Sequence, residues 1–326
     1  MPFNLKGRNL LTLLDFTPYE IDYLLKLSLK LKQDKYSGVR HRLMDGKNIA
    51  LLFEKPSTRT RCAFVVACND EGAFPEYLGK GDVQFGKKES VKDTARVLGR
   101  YFDGIEFRGF KHETVVELAE HAGVPVWNGL TDLYHPTQVL ADLLTLMERF
   151  GTLKGLTLSY VGDGRNNMAR SLLIGGVKMG MTVNIVAPAD LMPDGELMGK
   201  VKSIAAETGG SYLLTSDISQ GVKGAHALYT DVWVSMGEED QWNERVAKLM
   251  PYQVNAQMMA MTGREDTVFL HCLPAFHNNE TDLSKECGAL EVTEEVFESS
   301  ASLVFDQAEN RMHTIKAVMV ATLGNQ

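Results

Sequence analysis

Asn48-Ile49-Ala50-Leu51-Leu52-Phe53-Glu54-Lys55-Pro56-Ser57-Thr58-Arg59-Thr60-Arg61 decides the fold. Residues 48–53 form a short, continuous apolar run, which suits a strand buried on both faces rather than one that alternates toward solvent. Pro56 ends the strand and Ser57 opens a helix as a hydroxyl cap. A buried strand passing through a tight turn into a helix is the building unit of a parallel α/β sheet.

The same alternation extends in both directions. Upstream, Thr17-Pro18-Tyr19-Glu20 is a capping box with proline at the first helical position, followed by an apolar face of Ile21, Leu24 and Leu25. Downstream, Ser90-Val91-Lys92-Asp93 starts another helix. A strand is predicted over 104–107, a helix over 112–121, a strand over 124–127 and a long amphipathic helix over 136–150. A second series follows, with strands over 156–161 and 182–186 and helices over 167–179 and 195–208. Further strands are expected over 212–214, 227–230 and 268–270, with a terminal helix from about 301 to 323. The pattern implies two α/β domains, each a parallel sheet flanked by helices with right-handed crossovers. The boundary is placed near Gly151, giving domains over 1–150 and 151–300. Ligand sites are expected in the cleft between strand ends.

Composition narrows the function. The 326 residues carry 34 Lys and Arg against 42 Asp and Glu, a net charge of −8, which argues against a duplex-binding surface and leaves room only for a local basic pocket. No apolar stretch is long enough to span a bilayer. The first 20 residues lack a basic region, an apolar block and a cleavage site in that order, which predicts a cytoplasmic protein. Cys62, Cys68, Cys272 and Cys287 include no C-x-x-C pair, a set that suits a reducing compartment. Cys62, Cys68 and Cys287 are read as packing residues.

The turn after 48–53 carries chemistry as well as topology. Free backbone N–H groups at the start of a helix, together with its dipole, favour a phosphate. Ser57, Thr58 and Thr60 add hydroxyls, and Arg59 adds a fork that can hold two oxygens. Arg108 follows a strand, where alone it reads as a surface arginine, and His135 stands at a strand-to-helix junction ahead of Pro136, Thr137 and Gln138. Val161-Gly162-Asp163-Gly164-Arg165-Asn166-Asn167 places glycines at the first two positions of a dinucleotide fingerprint, but Asn167 occupies the third and no acidic residue closes the next strand. Asp231 offers a carboxylate for an ammonium ahead of Ser235 and Met236. His271 and Cys272 are adjacent, without the spaced partners of a zinc site, so no metal is expected. Arg311, on the terminal helix, reads on its own as a solvated helical arginine.

The string Ser57-Thr58-Arg59-Thr60-Arg61 after a strand and a proline resembles the carbamoyl phosphate motif of the aspartate and ornithine carbamoyltransferases, and the resemblance extends over the whole chain. It implies that Ser57, Thr58, Arg59 and Thr60, with Gln84 and Arg311, hold the phosphate. Gln84 would reach carbamoyl phosphate across a subunit interface, and Arg311 would do so from a C-terminal helix (about 301–326) packed back on the first domain. It further implies that Arg108 and His135 polarise the carbamoyl carbonyl, with Pro136, Thr137 and Gln138 beside it. Two donors aimed at one developing oxyanion are what acyl transfer requires. The D-x-x-x-S-M-G segment is similar to the ornithine-binding loop of the ornithine branch, so Asn167, Asp231, Ser235 and Met236 are expected to hold the amino acid. Cys272 stands where the aspartate branch carries proline. It is expected near the δ-amine, with the Leu273 carbonyl accepting from the carbamoyl amide.

The activity so implied joins carbamoyl phosphate to L-ornithine, giving citrulline and phosphate in arginine metabolism, with no metal or organic cofactor. The same resemblance implies a homotrimer, or an assembly of trimers. A loop over 234–250, hinged at Gly237, is expected to close over the site. The competing readings are a carbamoyltransferase for another amine such as putrescine, a nicotinamide-dependent dehydrogenase, and a non-catalytic amino acid sensor.

Overall fold

The computed structural model describes residues 4–83, 88–234, 239–282, 284–285 and 288–324. Thr17 caps helix α1 (Pro18–Tyr36) with the reciprocal Glu20 bond of a capping box. Strand β1 (Asn48–Phe53) leads into α2 (Thr58–Asp70), β2 (Phe74–Leu78), α3 (Val91–Tyr101), β3 (Gly104–Arg108), α4 (His112–Ala122), β4 (Val126–Leu130) and α5 (Pro136–Phe150). The second series runs β5 (Thr157–Val161), α6 (Asn167–Lys178), β6 (Thr182–Val186), α7 (Gly195–Thr208), β7 (Ser211–Thr215), α8 (Ile218–Val222) and β8 (Ala227–Thr230). It continues through α9 (Trp242–Leu249), α10 (Ala256–Met261), β9 (Val268–His271), α11 (Glu294–Phe297) and α12 (Val304–Leu323). Among the described residues, no helix is long and apolar enough to cross a membrane.

The chain divides into two compact units, Met1–Leu144 with Glu309–Gln326, and Thr145–Ala308. Unit 1 holds a four-stranded parallel sheet in the order β2-β1-β3-β4. Alternate residues of its central strands (Ala50, Leu52, Ile105 and Phe107) pack with Ala95 and Leu98 of α3 and Val115 and Leu118 of α4. Gly99 permits α3 and α4 to meet, since a Cβ there would fall 1.8 Å from the Ala122 carbonyl oxygen. Glu106 and Arg108 point to the other face, by the two-residue period of a strand. The terminal helix belongs to this unit over its last turns: Trp127 donates to Thr322, and Lys316, 1% exposed, pairs with Asp70 at the end of α2.

Unit 2 holds a five-stranded parallel sheet in the order β7-β6-β5-β8-β9. Its core joins Val161, Val186, Leu228 and Phe269 from the strands to Trp233, Val254, Val292 and Phe297.

Several details differ from the sequence reading. Strand β2 has no counterpart in it, because Pro75 interrupts the run and most of its residues are partly exposed. The strand lies at the sheet edge, where a missing donor is tolerated. Strand β4 is shifted two residues beyond the expected start, and α12 begins at Val304 rather than near 301. Cys62, read as a packing residue, is exposed on α2, whereas Cys68 is buried, with its thiol pushed up to about 12 by desolvation.

Candidate active site

In unit 1 the phosphate string folds as a helix start. Ser57 is the N-cap of α2 and accepts from the Thr60 backbone N–H at 3.2 Å. Thr60 is fully buried, and its hydroxyl is the meeting point of two guanidiniums. Arg108 donates to Thr60 Oγ1 from the end of β3 at 3.0 Å, and Arg311 donates to the same atom from α12 at 2.8 Å. Arg311 also donates to the Gly129 carbonyl at 3.2 Å and is only 3% exposed, so the solvated reading of its helix position is overturned. Arg108 is half-buried rather than a surface arginine. Arg59 is partly exposed one residue ahead of Thr60, and Thr58 is exposed.

His135 is buried beside these cations. Its Nδ1 lies 3.4 Å from Thr137 Oγ1, which also reaches the Gly129 carbonyl at 3.5 Å. Burial pushes the imidazole well below its ordinary pKa, and the charges of Arg311, Arg108 and Arg59 push it further in the same direction. At neutral pH the ring is therefore uncharged, with one nitrogen a donor and the other an acceptor. Gln138 is buried and donates to Asp142 at 2.8 Å, which fixes its amide on the first turn of α5.

Unit 2 gathers a different set. Asp231, at the end of β8, accepts from the Cys272 thiol at 3.0 Å and from the Val232 backbone N–H at 2.8 Å. Asn166 donates to the second Asp231 oxygen at 3.4 Å and to the Tyr160 hydroxyl at 2.6 Å, while its own oxygen caps α6. Desolvation raises the Asp231 pKa above the usual carboxylate value. Asn167 sits next to this cap, partly exposed. Beyond β9, the Leu273 N–H donates to His271 Nδ1 at 2.8 Å, and Leu273 is held at φ +60°, a left-handed conformation unusual for a branched residue.

Asp231, His271 and Cys272 bring possible metal-ligating atoms within 4.8 Å of one another. His271 Nδ1 already accepts from the Leu273 N–H, while Nε2 lies 3.3 Å from Glu291 Oε1 without a hydrogen bond. One imidazole, one carboxylate and one thiol are still fewer ligands than a closed zinc site uses.

Gln84, Ser235 and Met236 of the sequence-predicted site, together with Gly237 and Cys287, lie outside the described residues. Asn166, Tyr160 and Glu106 were missed. Asn166 could have been found as a helix cap. Glu106 carried its own signal, a charged residue inside an otherwise apolar strand.

Two parallel α/β units, one gathering arginines around a helix start and the other a buried carboxylate and thiol at strand ends, define a protein built to handle two polar small molecules. Known families resolve the class further. Residues 8–148 match the model described as aspartate/ornithine carbamoyltransferase, carbamoyl-P binding domain, and residues 154–322 match the Asp/Orn binding domain of the same family. The chain belongs to the aspartate/ornithine carbamoyltransferase family, whose members are transferases. It is 61% identical to a Bacillus licheniformis protein named ornithine carbamoyltransferase, catabolic, over 99% of this chain and 98% of that one. Among solved structures it is similar to the ornithine carbamoyltransferase from Pyrococcus furiosus, with a TM-score of 0.92 and 43% identity over 99% of both chains. The Thermus thermophilus ornithine carbamoyltransferase matches with a TM-score of 0.82 and 41% identity, over 97% of this chain and 98% of that one.

Proposed function

We propose that this chain transfers the carbamoyl group of carbamoyl phosphate to the δ-amine of L-ornithine, giving L-citrulline and phosphate. One observation carries the reading: the charge is divided between the units. Arg108 and Arg311 converge on Thr60 in one, and Asp231 is buried against Cys272 in the other. The first set fits a phosphate and the second fits an amino acid's ammonium.

Unit 1 binds the phosphate through the α2 start, Arg59, Arg108 and Arg311. Neutral His135 and charged Arg108 donate to the carbamoyl oxygen as it gains charge, while Gln138 holds the amide. Asp231 and Asn167 hold the amino acid head of ornithine, and Cys272 lies beside the δ-amine. The Leu273 carbonyl accepts from the carbamoyl amide. The uncharged amine attacks the carbonyl carbon, the tetrahedral intermediate collapses, and phosphate departs with the pair of electrons of the broken C–O bond and takes the proton that the amine gives up. Holding both reactants in place supplies much of the acceleration. A free alkyl amine has a pKa near ten, so the rate rises toward alkaline pH.

Citrulline formation from carbamoyl phosphate, with ornithine compared with putrescine, lysine and aspartate, tests the proposal. Strong preference for ornithine that is lost in Arg59→Ala supports it. Preference for putrescine overturns the amino-acid role of Asp231 and leaves the phosphate site standing.

In the cell the proposed direction is citrulline breakdown, a reading supported by the word catabolic in the name of the Bacillus licheniformis relative. A deletion strain that loses growth on arginine as energy source, yet needs no arginine supplement, supports that direction. The proposed assembly is a cytoplasmic homotrimer in which Gln84 serves a neighbouring subunit. Mixed Gln84→Ala and Arg59→Ala subunits should regain activity that neither variant shows alone.

A further inference from the structure

Glu106 is buried beneath the phosphate site and has no place in the mechanism above. It precedes Arg108 by two residues on β3, so both side chains leave the same face of the strand. It is 0% exposed, and neither carboxylate oxygen has a hydrogen-bond partner among the described residues. The carboxylate lies against the Gly129 backbone: a Cβ at position 129 would fall 2.0 Å from Glu106 Oε1. The Gly129 carbonyl is the one that accepts from Arg311. Arg108 and Arg311 donate to Thr60 and Gly129, and they act on Glu106 through their charge.

We infer that Glu106 is a positioning residue that competes with the bound phosphate for the charge of Arg108 and Arg311, and that phosphate binding is accompanied by uptake of a proton at its carboxylate. The inference rests on the phosphate reading of unit 1. The charged groups that act on it are Arg108 on its own strand and Arg311 from α12, and the same two arginines act on His135. Burial pushes the Glu106 carboxyl well above its ordinary value, and Arg108 and then Arg311 pull it back. A phosphate dianion in the cradle cancels that pull, so Glu106 binds a proton more tightly. By reciprocity, ionising Glu106 weakens phosphate binding. The arginines do not titrate, and His135, pushed down by burial and then by the same cations, stays neutral above pH 8.

Calorimetric titration of the full-length protein with inorganic phosphate between pH 8 and 9.5, in two buffers of different ionisation heat, tests this. The wild type should take up protons on binding, and its Kd should rise with pH by up to about tenfold per unit. Glu106→Gln should bind phosphate more tightly, with no proton uptake and a flat Kd. Glu106→Asp, which keeps a carboxylate, should restore the uptake. With carbamoyl phosphate as substrate, the Gln variant should change KM more than kcat. Phosphate binding by the wild type without proton uptake overturns the inference, even if the variants do not fold. So does uptake that persists in Glu106→Gln. No phosphate binding at all, or binding that Arg59→Ala leaves unchanged, overturns the phosphate reading and this inference with it.

Discussion

Thr60 and Asp231 are both buried polar residues near the ends of parallel strands, and they are served in opposite ways. Thr60 draws its partners from distant stretches of chain: Arg108 lies 48 residues away and Arg311 lies 251 away. Asp231 is served from the sheet around it, by its own neighbour Val232 and by Cys272 at the end of the adjacent strand β9. Only Asn166 comes from a helix start. An anion needs several cations, which repel each other and must be held by separate elements. An ammonium needs one carboxylate, and adjacent strand ends can present that with local partners.

The comparison can be broken most severely through the arginines. Arg311→Met removes one of two guanidiniums from Thr60, and carbamoyl transfer should fall by about two to three orders of magnitude. Isothermal titration of ornithine analogues with the variant should show unit 2 unaffected. Equal damage to both ligands would mean that the two halves are not separable.

Asp231→Asn is the matching change in unit 2. Ornithine KM should rise about a hundredfold or more, since a charge-assisted bond is lost and its partner is left unpaired. Phosphate inhibition should shift less than twofold. A third experiment sharpens the contrast through pH. Because burial raises the Asp231 pKa, the carboxylate gains a proton at a higher pH than usual as the solution is acidified. Ornithine KM should therefore climb on the acid side in the wild type and lose that limb in Asp231→Asn, as read from steady-state kinetics between pH 5 and 9.

Cys272→Ser should have the smallest effect, roughly threefold to tenfold on kcat/KM, because a hydroxyl can still donate to Asp231. A loss of several orders of magnitude would assign the sulfur a larger part than orienting the carboxylate.

The same comparison explains what the sequence made legible. The helix start at Ser57 and the strand before it follow from local pattern, and so do the ends of β5, β6 and β8. Arg311 could be placed only by resemblance, because nothing in the residues around it reports a partner 251 positions away. Asp231 was visible as a carboxylate after a strand, but its bond to Cys272 depends on β8 and β9 being neighbours in the sheet, which spacing does not specify. Strand β2 was hidden by Pro75, and Glu106 was passed over inside a predicted strand.

Unit 1 is made of the beginning and the end of the chain, with Thr145–Ala308 between them. On a ribosome, the sheet carrying Ser57 to Thr60 emerges long before the helix that brings Arg311 to it. At about 5–20 residues per second, that wait is on the order of ten seconds or more. During it the sheet face that Trp127 shares with Thr322 has no cover from its own helix. A chain cut short by even its last two dozen residues would carry every strand and no Arg311, leaving Thr60 without the partner that arrives last.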